Sequence, residues 1–399
     1  MIGILGKYIK QFFSSPQNLI YVAFVSVFLH FAVTVFVVLT FGIMILSNKE
    51  KRKMAFSYKG RLSFMLFTAY TLIIAAVNGN YIGILCSVFF FLVIVISYYA
   101  RHILTSEVFE NGLNLCCIMS LFITICAIID KLFNLGVSYY RCTLWFFNTN
   151  YLSTIMATVI IICGYKVVNI KSHTLFYYVT AFCCAVTMYL CGSIFAFIEI
   201  FVGVSILLLL NRRHFMLSLF LIMVCFGIVF LYCVPEIFPR LAQTNITTDN
   251  RILIWDASMN FIKEAPLFGR GFLSYYLLSN GVEGVYNSTH AHNLALEPIL
   301  SFGLLGSLIL LCFLWSYYKK AAECKELLRD NKNTKLILSI SAAVLVHATT
   351  DMTMLWVQTG LLYALILGSL GIDERALEKR ILACIKKSEK YNSLISKEK

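Results

Sequence analysis

Apolar residues in this chain recur in long unbroken runs, separated by short polar segments. The runs predict membrane-spanning helices near 20–46, 62–78, 81–99, 112–130, 151–168, 174–192, 193–210, 215–233, 293–316, 335–354 and 356–372. Each comes near the roughly 20 apolar residues that a bilayer crossing needs. Helices are the expected form because lipid offers no partner to a free backbone N–H or C=O. The pattern predicts an all-α polytopic membrane protein of about 11 spans (10–12). No fixed-period repeat is visible. The first run lacks a small-residue cleavage site after it and is read as retained.

Composition agrees with the pattern. Of 399 residues, 60% are hydrophobic and 13% charged, against roughly 25% charged in a soluble domain. The net charge of +13 does not point to nucleic acid once its positions are read. Basic residues cluster at 49–61, Arg101, 166–171, 212–213, 319–335 and from 373 onward, which accounts for 25 of the 33. Alternating spans put all of these on one face, and lysine and arginine mark the cytoplasmic face. Only the amino-terminal tail, with Lys7 and Lys10, falls on the wrong side of that count. The fourteen cysteines lie mostly inside apolar stretches such as "NLCCIM". They read as small packing residues, not as disulfides or metal ligands.

The expected organisation is an amino-terminal bundle (1–233), a long extracytoplasmic loop (234–292), a second set of spans (293–372) and a basic cytoplasmic tail (373–399). Long loops in compact proteins are usually functional, and this one holds Arg240, Arg251, Lys263 and Arg270. Its segment "TTDNRILIWDASMNFIKEAPLFGRGF" (247–272) predicts a short amphipathic helix capped by Asp249 or Asn250 and closed by Pro266 and Gly269. Arg251 then falls in the first turn, where an anion meets both a guanidinium and free N–H groups. A capping or headgroup-binding arginine is the structural alternative.

At the end of the loop stands "YNSTHAHNLALEPILSFGLLG" (286–306). His290 and His292 flank Ala291 and share one side of an extended segment. A third metal ligand is not evident, so His292 reads better as a general base, since imidazole titrates near neutrality. Asn293 is placed to orient the imidazole or a substrate hydroxyl. Glu297 follows one turn later. His347 and Asp351 share a helix face at i, i+4, and Glu199 is a further ionisable group inside a span. Such groups default to functional hypotheses, with pairing for helix registry as the alternative.

Taken together, these residues resemble the O-antigen ligase and O-antigen polymerase superfamily. The pattern H-N, nine residues, G-x-x-G falls on His292, Asn293, Gly303 and Gly306. Upstream, Arg251, Trp255, Pro266, Gly269 and Gly271 fit the family's arginine, tryptophan and P-x-x-G-x-G turn. "FFNTNYLSTIMA" (146–157) is similar to its N-x-N opening of a span, at Asn148 and Asn150. "LVHATTDM" (345–352) is similar to its late H-x-x-x-D segment.

The resemblance implies a GT-C-like, inverting glycosyltransferase in the bacterial cytoplasmic (inner) membrane, working at the extracytoplasmic face without cofactor or metal. The implied donor is a glycan on undecaprenyl pyrophosphate, and the acceptor another glycan, lipid-linked or not. His292 is the implied catalytic base, with Arg251 and Arg270 on the pyrophosphate. His290, Asn293, Glu297, His347, Asp351 and Asn150 are the expected supporting residues. The family's serine-arginine pair at the outer end of a central span is here Ser193 and Ile194, so that arginine's task is expected to pass to a loop residue such as Arg240 or Arg270, or the donor to be bound differently. Codon-biased composition leans towards a capsule or exopolysaccharide polymerase. A flippase that moves lipid-linked glycans without breaking a bond is the alternative, disfavoured by the absence of paired interrupted helices.

Overall fold

The computed structural model describes residues 15–58, 60–137, 140–170, 173–238, 244–323, 331–372, 374–376, 379 and 382. Arg240, the amino-terminal tail and nearly all of the 373–399 tail lie outside them. The described residues form helices and turns, with no strand among them. In chain order the helices are α1 (Pro16–Ser26), α2 (Phe31–Ser47), α3 (Lys49–Ala55), α4 (Arg61–Val77) and α5 (Tyr81–Ile103). Then come α6 (Ser106–Phe133), α7 (Thr149–Asn169), α8 (Thr174–Cys191), α9 (Ile194–Leu210) and α10 (His214–Cys233). The loop holds α11 (Thr244–Glu264) and α12 (Ser274–Ser279), followed by α13 (Leu296–Glu323), α14 (Lys332–Ala348) and α15 (Val357–Gly368). Among the described residues six helices are long and apolar enough to cross a membrane, or seven if the pair α2–α3, bent by 105°, is one span.

Polar residues define where the helices begin. Asn48, Asn80, Thr105, Asn148 and Asn331 each accept a backbone N–H at the start of α3, α5, α6, α7 and α14. Such caps satisfy donors that would otherwise be stranded at the edge of an apolar layer. Below them one continuous apolar core joins α1, α2, α5–α9, α14 and α15. Outward-facing side chains such as Phe36, Leu62, Leu85, Phe182 and Phe226 are exposed, as lipid-facing positions are. No residue of α10 is buried.

The sequence run 20–46 departs from its expected form. It folds as two helices packed on each other, α1 and α2, with a turn at 27–30. The turn's carbonyls are held by Trp145, which donates to Phe28 O, and by Gln358, which donates to Val27 O and Leu29 O. One apolar run therefore supplies two legs. Lys7 and Lys10, the discordant residues of the charge count, lie outside the described residues.

The basic segments gather at one end of the bundle. Arg101 pairs with Glu374 at 2.6 Å and lies over the rings of Tyr58 and Tyr317. Lys166, buried in α7, pairs with Glu110 at 2.6 Å, and Lys332 reaches the same carboxylate. The histidine segment lies at the opposite end, among the loops before α7, before α9 and after α14.

Candidate active site

The loop between α10 and α13 is built into the bundle through backbone contacts. α13 is interrupted at Gly303, where φ is 64° and ψ −176°. Backbone groups on both sides of the break find partners in the loop. Leu304 and Leu305 donate to Pro266 O and Leu267 O, while Ser301 O accepts Arg270 N and Gly271 N. Tyr70 donates its hydroxyl to Phe268 O and Phe302 O, and Asn80 donates to Arg270 O and Phe272 O. Gly269, also at φ 64°, faces the break: a Cβ on it would lie 2.5 Å from Gly303 N. A Cβ on Gly303 would lie 2.4 Å from the Leu267 carbonyl carbon. Glycines of the two sequence motifs thus meet each other, because only hydrogen fits between the backbones. In lipid the interlock is needed to satisfy broken-helix groups.

Just before α13, the segment carrying His290 and His292 is clamped by Glu297. This buried carboxylate accepts Ala291 N at 2.7 Å and Ser301 Oγ at 2.8 Å. Asn293 Oδ1 accepts Ala295 N and Leu296 N. Asn293 is therefore the N-cap of α13, with its Oδ1 engaged by the helix start and not by the imidazole. His292 sits at φ 49°, a costly conformation for a side-chain-bearing residue, held by this double clamp.

Asp351 closes the site from the turn after α14. Its Oδ1 lies 3.1 Å from His292 Nδ1 and 3.3 Å from His290 Nε2, and its Oδ2 accepts Asn150 Nδ2 at 2.5 Å. Asn150 in turn accepts Ser193 Oγ at 3.0 Å, and its own N–H is capped by Asn148. Three donors converging on one buried carboxyl favour its ionised form. A carboxylate can only accept, so both facing ring nitrogens carry the protons. His292 is then the Nδ1–H tautomer, with Nε2 as its basic nitrogen. His290 is buried, which pushes its pKa down to about 4, helped by its neighbour His292 and opposed by Asp351.

His290, His292 and Asp351 are residue types that bind divalent metals, and their ligand atoms lie within 4.8 Å of one another. The hydrogen bonding opposes that use. His292 N donates to His290 Nδ1 at 3.2 Å, which fixes the His290 proton on Nε2. A metal would need that nitrogen bare and Nδ1 protonated, facing another N–H. The set fits a His–Asp hydrogen-bond system better than a metal centre.

The remaining expected residues divide. His347 does not meet Asp351 by side chain; its Nδ1 lies 2.7 Å from Glu199 Oε2, and Thr154 Oγ1 lies 3.2 Å from the same nitrogen. Arg251 is not in a first turn, because α11 begins at Thr244. The anion site that a helix N-terminus would have offered there is withdrawn. Instead its guanidinium lies 4.9 Å above the Phe195 ring, at the first turn of α9 beside Ser193. Arg270 pairs with Glu264 at 2.8 Å and donates to Phe261 O. Sequence reasoning gave no role to the hydroxyl of Ser193 and passed over Thr154 altogether. The helical spacing of Asn150 and Thr154, one turn apart, was the available signal.

The site thus belongs to an all-helical, multi-pass membrane protein with a His–Asp couple where loop meets bundle. Residues 179–311 match the family described as O-antigen ligase, which bears out the resemblance and supports an O-antigen ligase- or polymerase-like membrane function. The match covers α9, α11, the interlocked glycines and His292, and leaves Asn150 and Asp351 outside it. No curated protein matches the chain.

Proposed function

We propose that the chain is a metal-independent, inverting glycosyltransferase of GT-C type with about 11 spans (10–12). In this reading it works on the extracytoplasmic face of the bacterial inner membrane. It transfers a glycan from undecaprenyl pyrophosphate to an acceptor hydroxyl. Residues 1–233 and 293–372 form the membrane bundle, 234–292 the outer loop, and 373–399 a basic cytoplasmic tail.

His292 Nε2 takes the proton of the acceptor hydroxyl as its oxygen attacks the anomeric carbon. The bond from that carbon to the diphosphate oxygen breaks, and the diphosphate leaves with the electron pair. Asp351 holds the Nδ1–H and stabilises the imidazolium that forms. Arg251 and Arg270 meet the charge developing on the diphosphate, the form of catalysis in which preorganised cations contribute most. Arg251 lies over Phe195, next to position 194 where the family's arginine is replaced by isoleucine, so it takes over that task. Asn150 and Ser193 orient Asp351, and His290 and Glu297 fix the histidine loop. The outer face has no nucleotide donor, and a lipid diphosphate carries its own activation.

The contact between His292 Nδ1 and Asp351 Oδ1 carries this reading, because it turns a boundary histidine into a base. The test uses purified protein, a synthetic undecaprenyl-pyrophosphoryl repeat unit and EDTA. Longer lipid-linked chains support a polymerase, the capsule or exopolysaccharide type. Transfer only to an added acceptor supports a ligase. Transbilayer movement with the pyrophosphate intact would overturn the reading in favour of a flippase.

A further inference from the structure

A second polar layer lies one turn deeper than the site, on the same three elements. Thr154 is one turn below Asn150 on α7, Glu199 follows Ser193 in α9, and His347 precedes Asp351 at the end of α14. Glu199 and His347 are both buried, joined at 2.7 Å, with the Thr154 hydroxyl at 3.2 Å. Neither Glu199 Oε1 nor His347 Nε2 has another hydrogen-bond partner. Such a pair is an expensive thing to keep in an apolar interior, and apolar residues of the same shape would often be as stable or more so. Stability alone does not account for it.

Its geometry suggests what it does. The His347 carbonyl accepts Thr350 N, Asp351 N and the Thr350 hydroxyl, so the backbone of His347 anchors the turn that delivers Asp351. Lower still, Gly203 brings the helices close: a Cβ there would lie 2.3 Å from Ile161 Cδ1 and 3.1 Å from Ala343 Cβ. α7, α9 and α14 are therefore in close contact, and their relative height and rotation are set where Glu199 meets His347.

We propose that Glu199 is a positioning residue, acting through His347 and Thr154 to hold Asp351 in register with His292. The inference rests on the glycosyl-transfer reading for its catalytic consequence but not for its geometric one. Three helices packed by apolar side chains alone have several near-equivalent sliding positions. A buried hydrogen-bonded pair selects one of them, at some cost in stability. Asp351 then arrives at its distance from His292 as a consequence of a contact deeper in the bundle.

The test has two readouts in detergent-purified full-length protein. One is turnover with the lipid-linked repeat unit. The other is the rate at which diethyl pyrocarbonate modifies His292, measured on its peptide by mass spectrometry, with Asp351→Asn as the reference for a lost contact. The double variant Glu199→Leu/His347→Leu is expected to keep its Tm. Its kcat is expected to fall about 10²-fold, the scale of a 1 Å misplacement, with donor KM within about twofold, and its His292 reactivity should match that of Asp351→Asn. Glu199→Gln, which still offers His347 an acceptor oxygen, should retain wild-type reactivity and most of the turnover. If the double variant is folded with wild-type turnover and reactivity, the proposal is overturned. If it does not fold, Thr154→Val decides: unchanged His292 reactivity overturns the proposal, and a fall towards the Asp351→Asn value supports it. If the wild type transfers nothing while His292 reactivity follows the variants, the transfer reading fails and the positioning role stands.

Discussion

Glu110 and Asp351 are carboxylates at opposite ends of the bundle, and each collects three side-chain donors. Glu110 meets Lys166, Lys332 and the Tyr165 hydroxyl, so fixed positive charge more than answers its own. Asp351 meets two imidazoles and an amide, none of which carries a permanent charge. The first arrangement ties α6, α7 and α14 together through ion pairs. The second leaves a carboxylate whose charge is answered only when a ring takes up a proton. Matched charge holds helices in place; a carboxylate matched only to neutral rings creates a base.

The sharpest way to break this contrast is at His292. His292→Ala should lower kcat by about 10²–10⁴-fold while donor binding stays within twofold, as separate single-turnover and binding measurements would reveal. Next is Glu110→Leu, which strands the buried Lys166. Removing one partner of a buried pair costs about 3–5 kcal/mol, read as a large fall in Tm with kcat unchanged in the folded fraction. A kcat loss at normal Tm would erase the difference between the two ends.

Arg251→Ala should raise the donor Kd about tenfold or more, the scale of a lost charge-assisted hydrogen bond, with little change in Tm. A pH titration sharpens the contrast further. His290 has a folded pKa of about 4, below the ordinary value of about 6.5. Its contribution to stability is therefore complete above about pH 6.5 and is lost as pH falls towards 4. Tm should decline across that window in the wild type and less steeply in His290→Gln. The smallest effect is expected at Glu264→Gln, which opens a half-exposed pair with Arg270. Its cost should stay within about 1 kcal/mol and shrink further in salt.

Much of this was legible in the chain. The apolar runs, the arginine and histidines of the loop between α10 and α13 and the glycine pairs all follow from local pattern and resemblance. What escaped depends on contacts between distant segments. Asn150 and Asp351 are brought together across 201 positions, and no local periodicity encodes that. The turn at 27–30 escaped because its carbonyls are satisfied by Trp145 and Gln358, so no proline or glycine was needed to mark it. The capping role of Asn293 escaped because a helix cap and a substrate-orienting amide look alike until the cap hydrogen bonds are seen. The start of α11 lies six or seven residues before the one that an Asp249 or Asn250 cap implies, because Ile246 alone among 244–248 carries an apolar signal.

The interlock of Gly269 with Gly303 also bears on how the protein is made. Residues 266–271 leave the ribosome before Leu304 and Leu305, so the carbonyls that complete the interrupted helix precede it into the membrane. The loop before α13 is in this sense a template for the helix that follows it, and cutting the two apart would leave neither half with a finished backbone.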